Sequence, residues 1–269
     1  MTGPRVAALP MYGVDRLAVE RFWDALASAL REGGVTRVPE RLDWPDDLPR
    51  HWRDPNLLLS QTCGYPLVEG LDAAVRVVGT FRYDADGAEG TGYRSLVVVR
   101  DSDSARALTD LQGRAVAYNG RDSHSGTNAL RALVAPLATG GRFFGRTVES
   151  GAHRRSIDFV RDGHADVAAI DCVSFALIAR HEPEAVAGLR VLARTAPAPG
   201  LPLVTARTTS EDELERIRRG IERVLADPKL RDARTALLIA GFERLGRADY
   251  HPIATMRDAA RAAGYPEFA

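Results

Sequence analysis

Apolar and polar positions alternate along the chain in two rhythms. Short continuous runs suited to buried strands are separated by stretches with helical spacing, the pattern of an α/β protein. Val6–Met11 reads as a first strand. Val19, Phe22, Trp23, Leu26 and Leu30 then recur at helical spacing until Gly33-Gly34 stops them. Leu57-Leu58-Leu59-Ser60 and Val75–Thr80 read as strands, and a turn-rich stretch follows from Tyr83 to Gly92. Leu96-Val97-Val98-Val99 is the most β-prone run of all. Beyond it, strands are expected at Ala115–Tyr118, Thr147–Glu149, Asp166–Ile170 and Leu189–Ala193. Helices through Leu130–Leu137, Ile157–Val160 and Val173–Ile178 lie between them. Pro197, Pro199, Gly200 and Pro202 mark a crossing segment that leads into Leu203-Val204-Thr205. The remainder reads as helical, with Leu214, Ile217, Ile221, Val224 and Leu225 on one stripe and Ala236–Phe242 in another helix.

Helices without strands of their own need a sheet to cover, and the first sheet is the natural one. The expected organisation is therefore two α/β lobes. Residues 1–98 and 200–269 form a discontinuous first lobe, and residues 99–199 form the second.

Composition narrows the function classes. The chain has 269 residues, and its 36 Lys and Arg balance 36 Asp and Glu, so it lacks the basic excess of a nucleic-acid binder. No apolar run is long enough for a membrane span. The amino terminus carries no secretory pattern, which predicts a cytoplasmic protein as the sequence stands, or a periplasmic one if a leader has been removed. Cys63 and Cys172 lie far apart and fall in different predicted lobes, so no disulfide is expected between them. Neither a metal nor a cofactor is called for.

In open sheets, ligands bind beyond the carboxyl ends of the strands. Here those ends carry Met11-Tyr12-Gly13, Ser60-Gln61-Thr62-Cys63-Gly64-Tyr65, Asp122-Ser123-His124-Ser125-Gly126-Thr127-Asn128, Ser150-Gly151-Ala152-His153 and Asp171. Their convergence predicts a cleft between the lobes. Ser125 is suited to cap the next helix, Gly126 to admit a ligand close to the backbone, and the hydroxyls of Ser123, Ser125 and Thr127 to supply uncharged donors. The same residues also make an ordinary capped helix start. His153 is a candidate donor to a ligand oxygen, with Arg154 and Arg155 beside it. Asp171 suits either a ligand contact or a helix cap. Tyr12 and Tyr65 suit an aromatic wall, or plain packing at a domain edge. Cys63, His153 and Asp171 would be the reacting groups of an enzyme on this fold.

Three stretches carry a family resemblance. They are Ser-Gln-Thr-Cys-Gly-Tyr-Pro-Leu at 60–67, the serine loop at 123–128, and Gly151-Ala152-His153 followed by Ser156-Ile157 and Ala165-Asp166-Val167-Ala168-Ala169-Ile170-Asp171. In that order they resemble the PhnD-like phosphate/phosphonate-binding proteins of ABC transporters, which have the type 2 periplasmic-binding-protein fold. The resemblance implies two α/β lobes joined by two crossing strands and closing on a small, anionic ligand. It also implies a permease partner, with neither nucleic acid nor membrane insertion. It maps the anion contacts onto Ser123, Ser125, Gly126, Thr127 and His153, with Asp171 in the acidic strand-end region. An aromatic contact from the first lobe corresponds to Tyr12 or Tyr65, and the strand-end position adds Gln61, Thr62 and Asn128 to the candidate ligand contacts. Phosphonate-binding members place an acidic contact where this chain has Val173, which implies that an amine on the ligand goes unrecognised. A catalytic role on the same fold and an intracellular ligand sensor are the competing functions.

Overall fold

The computed structural model describes residues 4–268. Its strands are β1 (Val6–Ala8), β2 (Leu57–Gln61), β3 (Val75–Tyr83), β4 (Gly92–Tyr93), β5 (Ser95–Arg100) and β6 (Ala115–Tyr118). They continue with β7 (Arg146–Glu149), β8 (Val167–Asp171), β9 (Leu189–Arg194), β10 (Ala198–Pro199), β11 (Pro202–Ala206) and β12 (Ile239–Glu243). The helices begin with α1 (Arg16–Glu32), α2 (Leu48–Trp52), α3 (Gly64–Val68), α4 (Ala129–Val134) and α5 (His153–Arg161). Then come α6 (Cys172–His181), α7 (Pro183–Val186), α8 (Glu211–Ala226), α9 (Arg231–Ala236) and α10 (His251–Ala262).

Two compact units result, one made of residues 1–84 and 200–250, the other of residues 85–199 and 251–269. The first holds a five-stranded sheet in the order β1-β2-β11-β3-β12. β1 and β2 run parallel, and β11 lies antiparallel between β2 and β3. Asp15 caps α1 by accepting from the Ala18 N–H at 3.0 Å, and Gly34 takes φ +81° just past its end. The predicted apolar stripe of α1 packs against Leu214, Ile217, Ile221 and Val224 of α8 over this sheet. The helices approach closely at Gly220, where an added Cβ would lie 2.7 Å from Leu30 Cδ2. Each fully buried Leu, Ile or Phe of such a face contributes roughly 1.5–3 kcal/mol.

The second unit has the sheet order β7-β6-β8-β5-β9, with β6, β7 and β8 parallel and β5 antiparallel to β8 and β9. β4 and β10 form a separate two-stranded antiparallel ribbon. The core of this unit joins Val97, Val116, Leu130, Phe143, Phe144 and Val167 to Ala260 and Tyr265 from the end of the chain.

Several expectations change. The first strand stops at Ala8, short of Met11. Residues 236–242 are not one helix. α9 ends at Ala236, Leu238 turns the chain at φ +57°, and Ile239–Glu243 joins β3 as an edge strand. The residues turn inward and outward alternately there (Ile239 buried, Ala240 exposed, Gly241 buried), a period-two signal too short to stand out in sequence. β5, expected to close the first lobe, pairs with β8 and β9 in the second sheet. α10 packs on α4, so the chain passes between the units after residues 84, 199 and 250, once more than expected.

Candidate functional site

The second unit gathers its polar groups beyond the carboxyl end of β6. From there the chain runs through Asn119 and Gly120 into a single π-turn, His124–Asn128, that opens α4. The wider turn is closed by the Asn128 N–H donating to the Ser123 carbonyl at 3.1 Å. Such widened turns recur at functional sites. Its side chains do not act as the sequence suggests. The cap is Ser123, whose Oγ accepts from the Gly126 N–H at 3.1 Å, and not Ser125. With the helix start shifted by the π-turn, Ser125 falls inside it, and its Oγ lies 2.8 Å from His153 Nε2.

Two further bonds and one close packing contact hold the turn. Thr127 Oγ1 donates to the Gly120 carbonyl at 2.6 Å. Ser95 Oγ donates to the Ser125 carbonyl at 2.8 Å, and Ser95 stands opposite Asp171 in the β5–β8 ladder. Asn119 packs over Gly126 so tightly that an added Cβ would lie 1.6 Å from Asn119 Oδ1, which demands glycine there. That Oδ1 is buried and has no hydrogen-bond partner. The sequence gives no signal of the role that either Ser95 or Asn119 plays here. Ser95 sits among valines, and Asn119 reads as the first residue of a turn.

His153 is the first residue of α5. Burial pushes its pKa down to about 4, an effect that the neighbouring Ala169 backbone opposes only in part. Its Nδ1 makes no well-formed hydrogen bond, so the Ala169 carbonyl biases the ring without fixing it. Near pH 7 the ring is neutral and shares one proton with the Ser125 hydroxyl. His124, fully enclosed, is driven lower still, to about 3. Its Nδ1 meets Asn128 Nδ2 at 3.1 Å, which assigns an acceptor role to Nδ1 and the proton to Nε2.

The remaining predicted residues have other employment. Asn128 also donates to the Ile253 carbonyl at 3.1 Å and accepts from Arg131 Nη2 at 2.9 Å, so both ends of its amide serve the fold. Asp171 Oδ1 caps α6 by accepting from the Val173 and Ser174 N–H groups at 2.8 and 3.0 Å. Arg154 pairs with Asp158 at 2.5 Å and Glu182 at 2.6 Å, and Arg155 lies over the Phe159 ring. Arg154 is thus committed to its carboxylates, whereas Arg155 is exposed and has no carboxylate partner among the described residues. Burial raises the Cys172 thiol to about 12, which makes it a poor nucleophile.

The first unit assembles a different surface at the ends of β1 and β2. The Tyr12 and Tyr83 rings meet edge to face at 4.9 Å, and Gln61 Nε2 donates to Tyr83 Oη at 3.0 Å. With Leu9, Phe22 and Phe81 they line a small apolar cavity. Thr62 is buried, with Oγ1 3.4 Å from the Cys63 carbonyl, and Cys63 and Tyr65 are buried at the start of α3.

The architecture is that of a type 2 periplasmic-binding protein. A family model described as "ABC transporter, phosphonate, periplasmic substrate-binding protein" matches residues 45–250, and the chain belongs to that family. A small ligand and a permease partner come with that membership. Among solved structures, the binding component of an ABC phosphonate transporter from Pseudomonas aeruginosa is 16% identical, with TM-score 0.78 over 97% of this chain and 88% of that one. PhnD1 of Prochlorococcus marinus in complex with methylphosphonate is 13% identical, with TM-score 0.74 over 96% and 97%. A Xanthomonas citri protein bound to ATP is 16% identical, with TM-score 0.71 over 97% and 98%. No curated protein matches the sequence. Among the described residues no helix is long and apolar enough to cross a membrane, and no cluster of three or more His, Cys, Asp or Glu is arranged to hold a metal.

Proposed function

We propose that this binding protein holds a phosphonate-like or phosphate-like oxyanion, and that the anionic end is held at the π-turn by uncharged groups. The observation that carries this reading is the pair of buried hydroxyls Ser123 and Ser125 at the π-turn, the second 2.8 Å from a neutral His153, with the neighbouring Arg154 already paired. Thr127 spends its O–H on the Gly120 carbonyl and braces the turn. Uncharged hydroxyl donors, with Ser125 held in place by His153, match oxygen lone pairs without the desolvation cost of burying a cation. Tyr12, Gln61, Thr62 and Tyr65 are the first unit's candidate ligand contacts, and Gly126 lets a ligand approach the backbone of the π-turn. Asn128 supports the turn from behind.

The non-anionic end of the ligand is uncharged. Asp171 spends an oxygen on capping α6, and Val173 occupies the position where the family's acidic contact is expected. A methylphosphonate therefore fits better than an aminoalkylphosphonate. Location in the periplasm and delivery to the permease follow from the same reading.

Calorimetric titration with phosphate, phosphite, methylphosphonate, 2-aminoethylphosphonate, sulfate and ATP tests it. Binding of methylphosphonate or phosphate ahead of the amino compound is expected. Failure to bind any of the phosphorus oxyanions would sink the proposal, and tightest binding of ATP would replace it with a nucleotide ligand.

A further inference from the structure

A second cluster of charge lies wholly within the first unit, away from Tyr12 and Gln61. β11 runs antiparallel to β2, so Leu203 pairs with Gln61 at one end of the sheet while Ala206 pairs with Val75 of β3 at the other. At that other end is a cavity of about 220 Å³. Four arginines from four elements line it: Arg76 of β3, Arg207 just after β11, Arg218 of α8, and Arg247 beyond β12. Asp72 and Glu211 are the carboxylates that face them.

The pairing leaves a surplus. Arg76 bonds Glu211 and donates to the Thr209 carbonyl at 2.6 Å, while Arg247 bonds Asp72. The acidic first turn of α8 is otherwise answered by Arg5, which pairs with Glu213 at 2.5 Å. Arg218 is held by main-chain carbonyls, donating from Nε to Val78 at 2.9 Å, and Arg207 is exposed. Among the described residues neither has a carboxylate partner. Four guanidiniums against two carboxylates leave two positive charges around one cavity. Guanidinium forks match the oxygens of a phosphoryl group in pairs.

We propose that this cavity is a second anion site, for a dianionic phosphate group, separate from the π-turn and different from it in chemistry. It binds through charge where the π-turn binds through neutral donors. The Arg207 side chain, which makes no hydrogen bond among the described residues, reaches the ligand. Arg218 is fixed in place for it.

The full chain is titrated with inorganic phosphate and with glycerol phosphate, and bound anions are counted by native mass spectrometry. Two phosphates per wild-type chain are expected. Arg207→Glu should weaken one of them by roughly tenfold or more and leave methylphosphonate binding at the π-turn unchanged. Arg247→Ala should weaken the same phosphate to a smaller degree. Thermal melting checks that both variants fold. Preference for glycerol phosphate at this site would identify a phosphate ester as its ligand, and equal binding would identify the free ion. Phosphate binding that is unaltered in Arg207→Glu and Arg247→Ala, or seen only at crystallisation concentrations of salt, would overturn the proposal. Loss of methylphosphonate binding in Ser125→Ala reports on the π-turn alone, so the two sites fail independently.

Discussion

The π-turn of the second unit and the arginine cavity of the first are two solutions to one problem. At the π-turn the donors are hydroxyls and a neutral imidazole, nearly all buried and already tied to one another. At the cavity the donors are charged, partly exposed and only half neutralised. The first arrangement is rigid and depends on packing. The second is adaptable and depends on Coulomb attraction. The difference predicts that the π-turn is selective but fragile, whereas the cavity is tolerant and sensitive to its solvent.

The largest expected effect comes from breaking the packing. In Gly126→Ala the new methyl would occupy the place of Asn119 Oδ1. We expect a destabilisation of about 1–3 kcal/mol, as for other overpacked sites, and no measurable methylphosphonate binding. Urea unfolding and calorimetry read the two losses, and wild-type affinity in this variant would show that the turn does not hold the ligand.

Acid should separate the two units next. The folded-state values of about 3 for His124 and about 4 for His153 lie below the ordinary 6.5, so the unfolded chain holds more protons between them. The stability of the second unit should therefore fall as pH drops from 6.5 through 4. In the first unit burial also lowers His51, but Asp43 and Asp54 oppose it, and arginines do not titrate there. Hydrogen exchange at pH 5 should show β6 and β8 losing protection before β2 and β3. The reverse order would remove the histidines from the account.

Salt gives the smallest effect and the sharpest contrast. Raising sodium chloride should weaken phosphate binding at the arginine cavity and change methylphosphonate affinity little, because exposed charges are screened and buried neutral donors are not. Equal slopes at both sites would mean that one of them is misassigned.

How much of this was legible in the sequence differs in the same way. The apolar runs of β2, β3, β5 and β8 and the stripes of α1 and α8 are long and periodic, so they could be read directly. Ile239–Glu243 could not, because a five-residue edge strand after a helix keeps much of the helical spacing. The serine loop was legible as a polar strand end, but the division of labour inside it was not. The π-turn that moves Ser125 from a capping place to face His153 is a matter of one extra residue within the hydrogen-bonded turn, invisible in residue types. The assignment of 251–262 to the second unit was equally hidden, since an amphipathic helix does not announce which sheet it covers. The arginine cavity draws its four charges from positions 76, 207, 218 and 247, which no local window joins.

Residues 251–269 have a last consequence, through Ala260 and Tyr265 in the core of the second unit and the Ile253 carbonyl on Asn128. On the ribosome the part of that unit that begins at residue 85 emerges early and must wait for Ala260 and Tyr265 before its core can close. The unit that opens at residue 85 is thus the last to finish, and a chain truncated near residue 250 would leave it with an uncovered face. The segment after residue 250 acts as a completion signal for the half of the molecule that carries the π-turn.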